Sequence, residues 1–229
     1  MNAIGDEHAV AELFVVPVAA CIARPEMFAA PLFAEEEAYI RRAVPTRRSE
    51  YAAGRAAARM ALAKLGAGLE PIVANPDRSP RWPTSFRGSI THCAGFCSAV
   101  VVRSQDASGV GFDAEESEPL SDDLLHLVCR PNELEHFSSL PSVGVDWPKL
   151  AFSAKEAFYK CYYPDTRSFL GFRDVSVSFC VKSGEIGKGG FSIVLENKTK
   201  PMPRRFTDFV GRWMAEGNRI YTGVTLPCA

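Results

Sequence analysis

Asp113 and Glu115 stand two residues apart, behind the apolar run Val110-Gly111-Phe112. On a strand, residues i and i+2 share a face, so both carboxylates project side by side. Such a pair repels unless one group is protonated or a cation lies between them. A hard, oxygen-seeking ion such as Mg²⁺ suits it, taking one or two carboxylates with phosphate oxygens and water. Taken alone, Asp-x-Glu is also the pattern of a solvated strand edge and arises often by chance.

Glu156 and Lys160 lie four apart in Phe152-Ser153-Ala154-Lys155-Glu156-Ala157-Phe158-Tyr159-Lys160. On a helix they share a face, either as a surface ion pair or as a third metal ligand or base beside a phosphate-binding lysine. Lys155 points about 100° away and need not share that role. In Ser89-Ile90-Thr91-His92-Cys93, hydroxyl and imidazole groups suit phosphate oxygens, although taken alone His92 is better explained as a structural histidine.

Zinc is disfavoured, because His92, Cys93, Cys97, His126, Cys129 and His136 include no CxxC pair. Nothing marks a base that would activate Cys93 as a nucleophile. The chain has no P-loop string and no Gly-x-Gly-x-x-Gly fingerprint, so nucleotide phosphates would fall to arginine, lysine and metal.

The elements that must position these groups are legible in outline. The 229 residues suffice for one large domain or two small ones, and a net charge of -1 gives no general reason to bind nucleic acid. The charge is unevenly spread. Arg41, Arg42, Arg47, Arg48, Arg55 and Arg59 crowd one segment, whereas acids dominate 113–135. A basic half facing an acidic half suits an anionic ligand held with a metal, though solvated helix faces explain most charge runs.

Seven cysteines of irregular spacing, with no secretory leader ahead of them, point to reduced thiols and a cytoplasmic setting. No apolar run approaches the ~18 residues of a membrane helix.

Apolar periodicity places strands at 13–22, 110–114, 175–181, 191–195, 206–214 and 219–226, with a hairpin at 90–102 turning near Ala94-Gly95. It places helices at 34–43, 46–65, 120–128, 132–137 and 148–162. On the second helix Tyr51, Ala58, Leu62 and Leu65 form an apolar stripe, with Arg48, Arg55 and Arg59 in a row about 60° round. The expected fold is α+β: two similar subdomains in pseudo-twofold arrangement, each a mainly antiparallel sheet with a long helix. Their boundary falls within 105–108, dividing the chain into 1–106 and 107–229. A ligand cleft between two such halves is common.

The order of the motifs resembles the 4'-phosphopantetheinyl transferases of the surfactin/enterobactin-synthetase type, closest to the enterobactin-type branch. The resemblance runs from about Arg47 onward. It rests on Arg48-Ser49-Glu50-Tyr51-Ala52-Ala53-Gly54-Arg55, Arg78-Ser79-Pro80-Arg81-Trp82-Pro83, Gly88 to Cys93, Gly111 to Glu115 and Phe152 to Lys160, continued by Gly171-Phe172 and Gly211-Arg212-Trp213. Phe112 replaces a common isoleucine and Phe152 a common tryptophan. Ala114 cannot ligate metal, leaving that position to water.

The resemblance implies transfer of 4'-phosphopantetheine from coenzyme A to a serine of an acyl, peptidyl or aryl carrier protein, with release of adenosine 3',5'-bisphosphate. The carriers would belong to fatty-acid, polyketide, nonribosomal-peptide or siderophore synthesis. The resemblance also implies Mg²⁺ on Asp113, Glu115 and Glu156, and Lys160 on the leaving phosphate. Arg48, Arg55, Arg78, Ser89, Thr91, His92 and Lys155 would serve coenzyme A. Either Glu156 or a metal-bound water would be the base. Residues 120–137 would help to dock the carrier, and a monomer would hold a complete site. The competing readings are a non-catalytic coenzyme A or carrier-binding module and a Mg²⁺-dependent nucleotide hydrolase.

Overall fold

Two antiparallel sheets, each crossed by a 20-residue helix, organise the chain. The computed structural model describes residues 7–181, 186–202 and 209–228. A short helix α1 (Glu7–Ala11) precedes strand β1 (Ala19–Ile22), and helices α2 (Ala34–Ile40) and α3 (Pro45–Lys64) follow. Strands β2 (Phe86–Cys93) and β3 (Phe96–Arg103) form a hairpin and complete a three-stranded sheet of order β1-β3-β2.

Strand β4 (Ala107–Glu116) opens the second half, followed by helices α4 (Asp122–Val128), α5 (Pro131–Ser138) and α6 (Trp147–Thr166). Strands β5 (Val175–Cys180), β6 (Lys188–Leu195), β7 (Phe209–Glu216) and β8 (Arg219–Pro227) join β4 in a five-stranded sheet of order β4-β8-β7-β6-β5. This is the expected α+β architecture of two antiparallel sheets with helices, although the sheets differ in size.

Helix α3 begins at Pro45, whose missing N–H costs nothing in a first turn. Its alanine-rich face buries Ala57, Ala58, Ala61 and Leu62 against Val101 and Ala99 of β3. Helix α6 is capped by the Asp146 carboxylate, which accepts from the Lys149 N–H at 2.8 Å. It buries Leu150, Ala154, Phe158 and Cys161 against Val177, Ile193 and Trp213. The helix runs through Pro164 and ends at Arg167, whose φ of 53° turns the chain out of the helix.

The apolar run 13–22 is not one strand. Only Ala19–Ile22 pair with β3, while Leu13 and Phe14 are buried with Phe112 and Tyr221. Hydrophobicity marked the burial there but not the backbone geometry. Strand β2 starts four residues before the expected hairpin, because Arg87, Gly88 and Ser89 interrupt the apolar signal. Of the expected strand 206–214, residues 206–208 lie outside the described residues; the remainder is β7.

Candidate active site

Strand β4 meets helix α6 through a residue with no side chain. A Cβ on Gly111 would lie 1.9 Å from the Ala157 carbonyl oxygen and 2.9 Å from the Cys161 Cβ. Glycine therefore lets the helix backbone rest on the strand. The close approach lays Lys149, Ser153, Glu156 and Lys160, spaced four, three and four apart, along Asp113 and Glu115.

Asp113 is buried and nearly saturated. Its Oδ1 accepts from Lys160 Nζ at 2.6 Å and from Thr91 Oγ1 at 3.1 Å; its Oδ2 accepts from Ser153 Oγ at 2.8 Å. Ser153 Oγ also lies 2.9 Å from Thr222 Oγ1 of β8. Lys149 Nζ donates to Glu115 Oε2 at 2.7 Å. Glu156 is half-buried, and among the described residues no hydrogen bond or ion pair holds its carboxylate. Burial pushes its pKa above the ordinary value and the charges of Asp113 and Glu115 add to this, while Lys160 pulls it down.

Among the described residues no three His, Cys, Asp or Glu side chains form a ready-made metal cage. Lysines hold two of the three carboxylates instead. The donor chemistry nevertheless fits a hard cation: all three groups are carboxylates, and two of them raise the proton affinity of the third.

Beside this cluster a cavity of about 330 Å³ runs between α3, the 75–82 loop, β2 and the end of α6. Arg55, Arg78, Ser89, His92 and Lys160 line it, as do Arg47, Trp82, Tyr159 and Tyr163. Arg55 is buried, with Nε donating to the Ile72 carbonyl at 2.6 Å and the guanidinium carbon 4.2 Å from the Tyr51 ring centroid. Burial lowers its pKa, against the opposing pull of Tyr51 and Glu36. Arg47 Nη1 lies 2.6 Å from His92 Nε2. Trp82 closes over Gly88 so tightly that a Cβ there would sit 2.7 Å from the indole. A larger groove of about 870 Å³, lined by Arg81, Arg87 and Met202, touches none of the three carboxylates.

A narrower cleft of about 150 Å³ adjoins Glu156, walled by Tyr159, Phe169, Leu170, Phe172 and Val175.

Three expected contacts for coenzyme A, Lys155, Arg48 and Thr91, do not line the cavity of about 330 Å³, and a fourth, Ser89, borders it with its hydroxyl engaged. Lys155 is buried and donates to Glu133 Oε2 at 2.7 Å and the Val128 carbonyl at 2.8 Å, on the far side of α6 from Lys160. It fastens α6 to α5 and cannot reach the cavity. Arg48 pairs with Glu37 and donates to the Ile40 carbonyl at 3.2 Å, because α2 packs beside that face of α3. Arg59 is likewise committed to Glu36, at 2.8 Å to each oxygen.

Thr91 and Ser89 spend their hydroxyls on β4. Thr91 Oγ1 accepts from the Ala114 N–H at 3.1 Å while donating to Asp113. Ser89 Oγ accepts from the Phe112 N–H at 3.0 Å and donates to its carbonyl at 3.2 Å. These hydroxyls stand where a neighbouring backbone would, and they stitch the two sheets together beneath Asp113. Ser89 still borders the cavity; buried Thr91 does not.

Lys149, Ser153 and Arg47 carry no notice in the motif reading. The first two had a signal, since they continue the Glu156–Lys160 row at helical spacing. Arg47 had none, because only the packing of α2 decides which of two adjacent arginines faces the cavity. Burial raises the Cys93 pKa to about 11, so this thiol has no thiolate character at neutral pH.

Comparison with known proteins decides the family. A model of the 4'-phosphopantetheinyl transferase N-terminal domain matches residues 35–102, and one of the 4'-phosphopantetheinyl transferase superfamily matches 109–207. The 4'-phosphopantetheinyl transferase Svp of Streptomyces mobaraensis is 37% identical over 201 residues, covering 85% of this chain and 78% of the relative.

This chain belongs to the 4'-phosphopantetheinyl transferase superfamily.

A second relative of the transferase, PptT of Mycobacterium tuberculosis, is 35% identical over 193 residues, 84% of this chain and 85% of its own. Enterobactin synthase component D of Salmonella austin is 35% identical over 145 residues, 61% of this chain and 57% of its own. The likeness to the enterobactin-type branch is therefore the looser one. No helix among the described residues of the transferase is long and apolar enough to cross a membrane.

Proposed function

We propose that this transferase moves 4'-phosphopantetheine from coenzyme A to a serine of an apo carrier protein, with Asp113, Glu115 and Glu156 holding Mg²⁺. The observation that carries this reading is the junction of two features at Lys160. That lysine lines the nucleotide-sized cavity and donates to Asp113 in the carboxylate cluster.

Arg55, Arg78, Arg47 and His92 provide the cationic and donor surface for the nucleotide phosphates. Lys160 meets the leaving phosphate. Mg²⁺, when bound, neutralises charge on the pyrophosphate. Glu156, whose carboxylate is held by no hydrogen bond or ion pair among the described residues, is the group we assign to take the serine proton. The serine oxygen forms the new bond to the β-phosphorus, and the departing group is adenosine 3',5'-bisphosphate.

The aromatic cleft beside Glu156 suits the pantetheine arm. Leu124 and Leu127 on α4, with Phe169, offer exposed apolar contacts to a carrier. We assign most of the nucleotide site to residues 1–106, with Lys160, Tyr163 and Arg167 lining the same cavity from the second half, and the metal and carrier sites to 107–229, in a monomer with every site residue on one chain. All seven cysteines are free thiols, which supports a cytoplasmic setting.

Incubation with coenzyme A, Mg²⁺ and a panel of apo carriers tests the proposal by mass spectrometry. A carrier should gain one phosphopantetheine group. Coenzyme A cleaved with no carrier modified would favour a hydrolase; coenzyme A bound intact would favour a binding module.

A further inference from the structure

Asp77 and Arg167 join the two halves of the transferase across the cavity. Arg167 Nη1 donates to Asp77 Oδ2 at 2.9 Å, and the Tyr163 hydroxyl donates to the same oxygen at 3.1 Å. Asp77 lies on the loop between α3 and β2, and Arg167 caps α6. All three residues line the cavity. Among ion pairs between described residues, this is the only one that links 7–106 to 107–228.

The carboxylate is fixed before Arg167 reaches it. Its Oδ1 accepts from the Ser79 N–H at 2.9 Å and the Ser79 hydroxyl at 2.5 Å. These bonds lower the Asp77 pKa, so the group is charged at neutral pH. The backbone is committed too. Among the described residues only Arg78 (φ 71°) and Arg167 (φ 53°) have positive φ without being glycine. Both line the same cavity. For an arginine that conformation is unfavourable and persists only where surrounding contacts enforce it.

We propose that Asp77 is a positioning residue for nucleotide binding: with the Tyr163 hydroxyl as a further donor to its carboxylate, it holds the Arg167 guanidinium against the cavity, the remaining guanidinium N–H groups being preset for a phosphate of the coenzyme A nucleotide. The inference rests on reading the cavity as the coenzyme A site. A long, exposed side chain loses rotamer freedom when it meets an anion. Asp77 imposes that loss before the ligand arrives, and its fixed carboxylate makes the imposed geometry reproducible.

The sign of one substitution separates this role from plain electrostatics. A carboxylate beside an anion site repels the anion, so neutralising it should tighten binding. A positioning carboxylate does the opposite: its loss frees Arg167 and weakens binding. The pair is exposed and contributes little to stability, so Asp77→Asn should melt like the wild type.

The test is calorimetric titration of adenosine 3',5'-bisphosphate into wild type, Asp77→Asn, Asp77→Glu, Arg167→Ala and the Asp77→Asn/Arg167→Ala double variant. Asp77→Asn should raise Kd about tenfold, and Arg167→Ala at least as much. The double variant should be no weaker than Arg167→Ala alone, and Asp77→Glu should recover part of the loss. In turnover the Asp77→Asn effect should appear in KM for coenzyme A rather than in kcat. A Kd for Asp77→Asn equal to or below that of wild type overturns the proposal, as do strictly additive single effects. If wild type modifies a carrier while Asp77→Asn binds normally, only the positioning role falls. If wild type fails to bind the bisphosphate, the reading of the cavity falls with it.

Discussion

Lys160 Nζ donates to Asp113 Oδ1 at 2.6 Å, while Glu156, one turn earlier on the same helix face, is left unpaired among the described residues. The site thus separates a neutralised carboxylate from a basic one, although both lie within one cluster. The same ammonium borders the cavity and also donates to the Phe112 carbonyl at 3.2 Å, so Lys160 is fixed to β4 rather than free to rotate. Lys160→Met should lower kcat for carrier modification by about 10²–10³, the range for losing one preorganised cationic or hydrogen-bonding group at developing charge. Steady-state kinetics with a saturating carrier would measure it. A kcat close to wild type would remove Lys160 from the chemistry.

Glu156 makes stability depend on pH with a definite sign. Its folded pKa is raised, chiefly by burial and then by Asp113 and Glu115. The folded state therefore prefers the protonated acid. The contribution is fully favourable below the unfolded pKa and declines as pH rises through the folded one. Glu156→Gln, which stays neutral, should be more stable than wild type at pH 7.5 and lose that advantage below about pH 4. Mg²⁺ should raise the melting temperature of wild type more than that of the variant. Thermal unfolding across pH, with and without Mg²⁺, tests both statements. Identical pH profiles for the two proteins would contradict them.

The sequence made the elements legible where a single physical signal dominated. Helices α3 and α6 stand where apolar periodicity placed them, and β4 contains the strand expected at 110–114, buried along most of its length. Asp113, Glu115, Glu156 and Lys160 were recognisable because two local rules, strand i/i+2 and helix i/i+4, put each pair on one face. Partner choice was not legible. Nothing within Arg47-Arg48 tells which arginine faces a ligand, since α2 decides by offering Glu37 to one of them. Nothing in Ser89 or Thr91 tells that β4 lies within reach, because the seam joins residues 23 apart through side chains. The inward turn of Lys155 depends on Glu133, on a different helix.

Lys155 and Glu133 form a buried ion pair whose removal should be felt in stability and not at the nucleotide. Glu133 is fully engaged: its Oε2 also accepts from the Arg130 N–H at 2.7 Å, and its Oε1 from the Val177 N–H at 2.7 Å. Burial lowers the Lys155 pKa, and Glu133 opposes that shift by holding the proton. Lys155→Met leaves an uncompensated buried carboxylate, a change that costs about 3–5 kcal/mol. Chemical denaturation should show this loss. The folded fraction should keep the wild-type Kd for adenosine 3',5'-bisphosphate, because Lys155 does not line the nucleotide cavity and borders only the cleft beside Glu156. A raised Kd for the bisphosphate with unchanged stability would return Lys155 to the nucleotide site.

Gly111 sets the distance on which the whole carboxylate–lysine array depends. The Cβ of an alanine there would meet the Ala157 carbonyl oxygen at 1.9 Å, and a main-chain atom in mid-helix cannot step aside as a flexible side chain can. The helix must lift or slide along β4. Overpacking of this kind costs about 1–3 kcal/mol. The geometric consequence is larger than the energetic one. Glu156 and Lys160 flank Ala157 on α6, so any displacement there carries both away from Asp113. A shift near 1 Å at reacting groups lowers turnover about 10²-fold. Gly111→Ala should therefore lose activity well beyond its loss of stability. Gly68→Ala, with nothing within 4 Å of its Cβ, serves as the control and should change neither. Parallel measurement of melting temperature and kcat/KM decides the matter: a Gly111→Ala protein with wild-type values of both would show that β4 and α6 do not need this contact.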